Sequence, residues 1–203
     1  MTFDALRPVV SKILEPLAKI TADAGISPNA ISLFSLLFAA LAGFLYYYSA
    51  FDPLLVLLAG LLVALNSLLD AMDGLMARYL NVASAKGDFL DHVIDRYSDV
   101  FMICGIFFGG YVDWQIGSIT IVGVLLTSYL GTQAQALRLG RYYGGLIGRA
   151  DRLVLIMLSS VVYFVYPSTI YGFSSLGWMM IIIGVGSHIT AFQRIIHIWK
   201  QLE

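Results

Sequence analysis

LNSLLDAMDGLMARYLNVASAKGDFLDHVIDRYSDV, residues 65–100, carries six aspartates inside a chain that otherwise avoids charge. Asp70 and Asp73 are three apart, and Asp91, Asp95 and Asp99 are spaced by four. On helices both spacings stack side chains on one face. A turn of about a dozen residues separates the two acidic faces, so the flanking segments form a hairpin that can bring the faces together. Carboxylates crowded into a low-dielectric setting repel one another, and either take up protons or bind cations. An all-oxygen donor set favours hard divalent ions, magnesium or manganese, over zinc.

The surroundings of this stretch set the class. The 203 residues are 59% hydrophobic and 12% charged, with mean hydropathy +0.83. Soluble domains carry about twice that share of charge. The composition therefore predicts an all-α, polytopic membrane protein. Six spans of about 20 residues are expected: Ala30 to Tyr48, Pro53 to Met76, Phe89 to Gly109, Gln115 to Leu137, Arg152 to Tyr166 and Leu176 to Ile198. Before them, residues 1–25 read as an amphipathic helix on the membrane surface, with Phe3, Leu6, Val10, Ile13, Leu14 and Leu17 at helical spacing. Pro8 and Pro16 are expected to limit or kink it. No cleavable signal or second soluble domain is expected, so residues 1–203 form a single membrane domain with the six-helix bundle over 30–198. The single cysteine, Cys104, excludes an intramolecular disulfide.

All twelve lysines and arginines fall at the chain ends or in alternate turns. The loops near Phe51, Trp114 and Ser168 have none. By the positive-inside rule both termini and both basic turns are cytoplasmic. The acidic hairpin turn is on that side, placing the candidate site near the cytoplasmic face of the cell membrane.

Small and basic residues punctuate the acids: Gly74 follows Asp73, Ala77 and Arg78 come next, and Gly87 lies four before Asp91. A glycine beside a ligand lets a substrate approach the backbone, and an arginine supplies a fork for phosphate oxygens. The series Asp70-x2-Asp73-Gly74-x2-Ala77-Arg78-x8-Gly87-x3-Asp91-x3-Asp95 resembles the signature of the CDP-alcohol phosphotransferases. SPNAIS, residues 27–32, resembles that family's second recurring element, although Ser27 or Asn29 could equally serve as a helix cap.

The resemblance implies two divalent ions, magnesium or manganese, held by Asp70, Asp73, Asp91 and Asp95. It implies a CDP-lipid site formed by Pro28, Asn29, Ser32, Asp73, Gly74, Ala77, Arg78 and Gly87, with Asp95 as general base. A homodimer is expected from the family, and no nucleic-acid partner. The reaction implied is transfer of a phosphatidyl-type group from a CDP-linked lipid to a polar alcohol with release of CMP, in phospholipid synthesis. Ester or ether linkage of the lipid stays open.

GRADRL, residues 148–153, resembles the stretch found in members that use inositol phosphate or glycerol phosphate. Arg138, Arg141, Arg149 and Arg152 are therefore expected at the acceptor's phosphate, which arginine grips bidentately. Inositol 1-phosphate is favoured over glycerol 3-phosphate. One departure is GTQAQA, residues 131–136, where Gln133 and Gln135 stand in a region that is basic in inositol-phosphate-using relatives. Asp88 is expected as the cap or first-turn acid of its helix, and His92, His188 and His197 are assigned no chemistry. A divalent-cation or proton transporter is the rival reading. It would place acids near the bilayer midplane in internally repeated, broken segments, and no such repeat is found.

Overall fold

In the computed structural model, residues 7–140, 142 and 144–202 are described. They form seven α-helices: α1 (Arg7–Asp23), α2 (Pro28–Tyr48), α3 (Pro53–Tyr79), α4 (Ala85–Ile106), α5 (Trp114–Ala136), α6 (Arg149–Val165) and α7 (Ser175–Gln201). A π-helical turn over Phe107–Tyr111 follows α4. Among the described residues the β pairing is confined to one bridge, Ile170 to Phe173, in the turn between α6 and α7.

The helix starts follow local chemistry. Ser27 accepts from the amide of Ala30, and Pro28 occupies the first helical position, where its missing N–H is no loss. Asp52 and Pro53 repeat the arrangement at α3. Ser84 caps α4 by accepting from the amide of Gly87, with Asp88 in the first turn as expected. These caps make the acidic hairpin tighter than its apolar pattern implies. Polar residues at the facing ends extend both helices beyond the apolar runs, so only residues 80–84 separate α3 from α4.

Four helices, α2, α3, α5 and α7, are long and apolar enough to cross a membrane. The other two expected spans have identifiable reasons for falling short. The first half of α4 holds Asp88, Asp91 and Asp95, with Arg96 directly after, and α6 has 17 residues, or about 25 Å of rise. Both nevertheless join the bundle. α2 packs on α3 and α4, α4 on α5, α5 on α7, α7 on α6, and α6 on α3, which closes a ring of six helices.

Small residues set the closest crossings. A Cβ on Gly43 of α2 would overlap the carbonyl of Phe101, and Gly105 of α4 faces Gly43 itself. Such contacts let helices approach without a hydrophobic drive between them. The core around them includes Tyr46, Val56, Met102, Ile156 and Met180, all buried.

α1 lies outside the ring against α3. Leu14, Ala18 and Ala22 bury against Met72 and Met76, while Ile13, Leu17 and Ile20 stay exposed. The helix continues through Pro16, so that proline does not end it. Phe3 and Leu6, at the expected start of this amphipathic segment, lie outside the described residues.

Candidate active site

α3 and α4 do not pack along their length; each packs on α2 instead. Where they diverge, a cavity of about 1120 Å³ opens toward the 80–84 turn and the start of α6. Asp70 of α3 and Asp91 and Asp95 of α4 meet across it, each offering a carboxylate oxygen within 4.8 Å of the others. The helical spacing thus does what the sequence predicts for these three.

Asp73 also lines the cavity but turns away from the trio. Three residues of helix advance it about 60° around the axis from Asp70, toward α2, where its Oδ2 accepts a 2.5 Å hydrogen bond from Ser32. Asp73 is buried, as is Asp95. The residues expected at the nucleotide all reach this cavity. Pro28, Asn29 and Ser32 contribute from the start of α2, and Gly74, Ala77 and Arg78 from α3. Gly87 contributes from the first turn of α4.

The acceptor arginines divide. Arg149 and Arg152, in the first turn of α6, line the cavity. Arg149 Nη1 lies 2.7 Å from both Asp70 Oδ2 and Asp95 Oδ1. Arg152 Nη2 donates to Asp99 Oδ2 at 2.7 Å. Arg138 follows the α5 cap in a left-handed conformation and is not part of the cavity wall. Arg141 lies outside the described residues. Neither Gln133 nor Gln135 lines the cavity; α5 presents Thr127, Ser128 and Gly131 there.

Two cavity arginines escape the sequence reading. Arg96 sits beside Asp95, with Nη2 3.3 Å from its Oδ2, and also donates to Ser128 of α5. Arg194 of α7 donates to the carbonyls of Gly144 and Thr127, clamping the α5–α6 connection. Its signal was present: an arginine within the apolar sequence SHITAFQRII, residues 187–196, is an intramembrane charge and by default a functional candidate. The same connection is held by Tyr142, whose ring stacks on His197 at 3.8 Å between centroids.

Over the whole cavity wall Asp70, Asp73, Asp88, Asp91 and Asp95 are matched by Arg78, Arg96, Arg149, Arg152 and Arg194, but around the trio the acids are in excess. Asp70, Asp73, Asp91, Asp95 and Asp99 outnumber the guanidinium groups of Arg96, Arg149 and Arg152 paired with them. Asp70 Oδ1 is buried and has no hydrogen-bond partner among the described residues. An excess of oxygen donors with a free buried oxygen suits hard divalent cations.

The sequence profile of the CDP-alcohol phosphatidyltransferases matches residues 25–191, a stretch that takes in SPNAIS, all the cavity aspartates and GRADRL. The chain belongs to this family. It is similar to the archaetidylinositol phosphate synthase of Pyrococcus horikoshii, at 31% identity over 98% of this chain and 97% of that one. The transferase also resembles the crystal structure of Mycobacterium tuberculosis phosphatidylinositol phosphate synthase (PgsA1) with CDP-DAG bound. That match has a TM-score of 0.75, at 25% identity over 93% of this chain and 94% of the other. The PgsA1 structure in complex with manganese and citrate superposes with a TM-score of 0.74, at 25% identity over 91% and 88% of the two chains. The protein is therefore a membrane transferase of phospholipid synthesis that moves a phosphatidyl group. Family membership sets the transporter reading aside.

Proposed function

We propose that the transferase passes a phosphatidyl-type group from a CDP-linked lipid to inositol 1-phosphate. The acceptor hydroxyl oxygen bonds to the lipid-side phosphorus of the donor's pyrophosphate, the bond from that phosphorus to the bridging oxygen breaks, and CMP departs with that oxygen. The acceptor's proton goes to the carboxylate of Asp95. The observation that carries this reading is the meeting of acids and arginines in one cavity: Asp70, Asp91 and Asp95 together, with Arg149 from the start of α6 against Asp70 and Asp95.

Asp70, Asp73, Asp91 and Asp95 are the residues that would hold two divalent ions, and such ions offset charge on a pyrophosphate and on the departing phosphate. Ser32 holds Asp73 in place. Pro28, Asn29, Gly74, Ala77, Arg78 and Gly87 form the wall against which the cytidine and its phosphates lie. On the acceptor side, Arg149 Nη2 and Arg152 Nε are buried and make no hydrogen bond among the described residues. Donors left over in this way suit a phosphate dianion. Arg96, reaching Ser128, brings a guanidinium to the α5 wall. The activities for which the Pyrococcus and Mycobacterium relatives are named support an inositol phosphate acceptor.

In this reading the whole chain forms one unit in the cell membrane. The ring of six helices spans the bilayer, both termini are cytoplasmic, and two chains assemble as a homodimer. α1 lies in the cytoplasmic interface, with Ile13, Leu17 and Ile20 set into the lipid. Purified protein with magnesium and CDP-lipid, offered inositol 1-phosphate, glycerol 3-phosphate, serine or free inositol, tests the acceptor. CMP release is expected with inositol 1-phosphate; release with glycerol 3-phosphate alone would reassign the acceptor.

A further inference from the structure

Asp99 lies one helical turn beyond Asp95 on α4 and occupies no position of the family signature. We propose that Asp99 is a positioning residue for the acceptor side of the cavity, holding Arg152 so that its unused donor meets the acceptor's anion. This inference rests on the acceptor reading given above.

The geometry is specific. Asp99 is 2% exposed and Arg152 3%. Asp99 Oδ2 accepts from Arg152 Nη2 at 2.7 Å, and Arg96 Nη2 stands 3.9 Å from the same oxygen. Asp99 Oδ1 lies 3.9 Å from Arg149 Nε. One buried carboxylate thus faces guanidinium groups from both α4 and α6.

Arg149 and Arg152 occupy the first turn of α6, where the helix dipole disfavours cations. Helix stability does not account for them there, so a local anion must. Residues three apart on a helix share a face, and both side chains point toward the carboxylate cluster. Arg149 reaches Asp70 and Asp95, while Arg152 is drawn past them to Asp99. Without the Asp99 charge, a buried unpaired guanidinium is strongly disfavoured, and Arg152 would turn to the nearest remaining carboxylates, those of the trio. Asp99 therefore keeps one arginine off the cation-binding acids and leaves its Nε, which has no hydrogen bond among the described residues, for an incoming anion.

A pair that merely ties α4 to α6 would lower folded yield and turnover without choosing between substrates, so the test must separate the two substrates. Full-length Asp99→Asn protein is assayed for CMP release while inositol 1-phosphate and CDP-lipid are varied in turn. Inositol 1-phosphate binding is also measured by calorimetry, which needs no turnover. The acceptor KM is expected to rise about tenfold or more, with the CDP-lipid KM within about twofold.

The double variant Asp99→Asn with Arg152→Gln, which neutralises the buried pair together, serves where the single variant fails to fold. It should match Arg152→Gln alone, because Asp99 acts through that arginine. Equal rises in both KM values, or additive losses in the double variant, would overturn the proposal. A wild-type protein that releases CMP with inositol 1-phosphate, beside an Asp99→Asn variant of unchanged acceptor KM, sinks this inference alone. Wild-type protein giving neither CMP release nor binding heat with inositol 1-phosphate sinks the acceptor reading and this inference with it.

Discussion

Replacing Asp95 with asparagine keeps the shape of a buried side chain and removes its charge and its ability to accept a proton. In the structure Asp95 Oδ1 lies 2.7 Å from Arg149 Nη1 and Oδ2 lies 3.3 Å from Arg96 Nη2. The asparagine carbonyl can still accept from one guanidinium, but its amide must face the other, donor against donor. Loss of a general base lowers kcat by about 10²–10⁴-fold, which is about 3–5 kcal/mol of transition-state stabilisation at 1.36 kcal/mol per decade. In the proposed reading the pyrimidine end of the donor lies against Pro28, Asn29 and Arg78, on α2 and α3 rather than α4. CMP release at saturating substrates should therefore collapse, while CDP-lipid affinity, read by calorimetry, falls far less, by about tenfold, because Asp95 is one of four proposed ion ligands. An Asp95→Asn variant that turns over within about tenfold of wild type would refute the assignment of Asp95 as base.

Other outcomes follow from the same geometry. Arg149→Ala should raise the acceptor KM by about tenfold or more, whereas Arg138→Ala, away from the cavity wall, should leave both KM values within about twofold; steady-state kinetics with each substrate varied reads both. Ser32→Ala removes the hydrogen bond to Asp73 and should weaken Mn2+ binding by about tenfold, measured by electron paramagnetic resonance titration. Gly43→Leu forces a side chain into the Phe101 carbonyl and should destabilise the protein by about 1–3 kcal/mol, visible as a lowered Tm in detergent.

Much of this architecture could be read from residue spacing. Asp91 and Asp95 meet Asp70 together because an i, i+4 pair shares a face in any helix packing that keeps that face inward. Ser27 is legible as a cap because capping is local chemistry, whereas at α4 the cap is Ser84 and Asp88 falls in the first turn. What spacing does not carry is the choice of neighbour. That Asp73 turns to Ser32, and that Arg152 passes the trio to reach Asp99, depends on how α2 and α6 sit against α3 and α4. Hydropathy likewise describes α4 poorly, because the acids of the site lower it, and α6 falls short through its 17 residues, although both complete the ring. Arg96 and Arg194 were hidden for a related reason: counted with the cytoplasmic charges, they look like topology signals, and only the packing of α4, α5 and α7 brings them to the cavity.

The most direct test is the cation itself. Crystals of the protein grown with manganese, examined by anomalous diffraction, should show density between Asp70, Asp91 and Asp95, and an Asp70→Asn, Asp91→Asn double variant should abolish it. Ordered carboxylates with no anomalous peak at saturating manganese, or an undiminished peak in the double variant, would contradict the account.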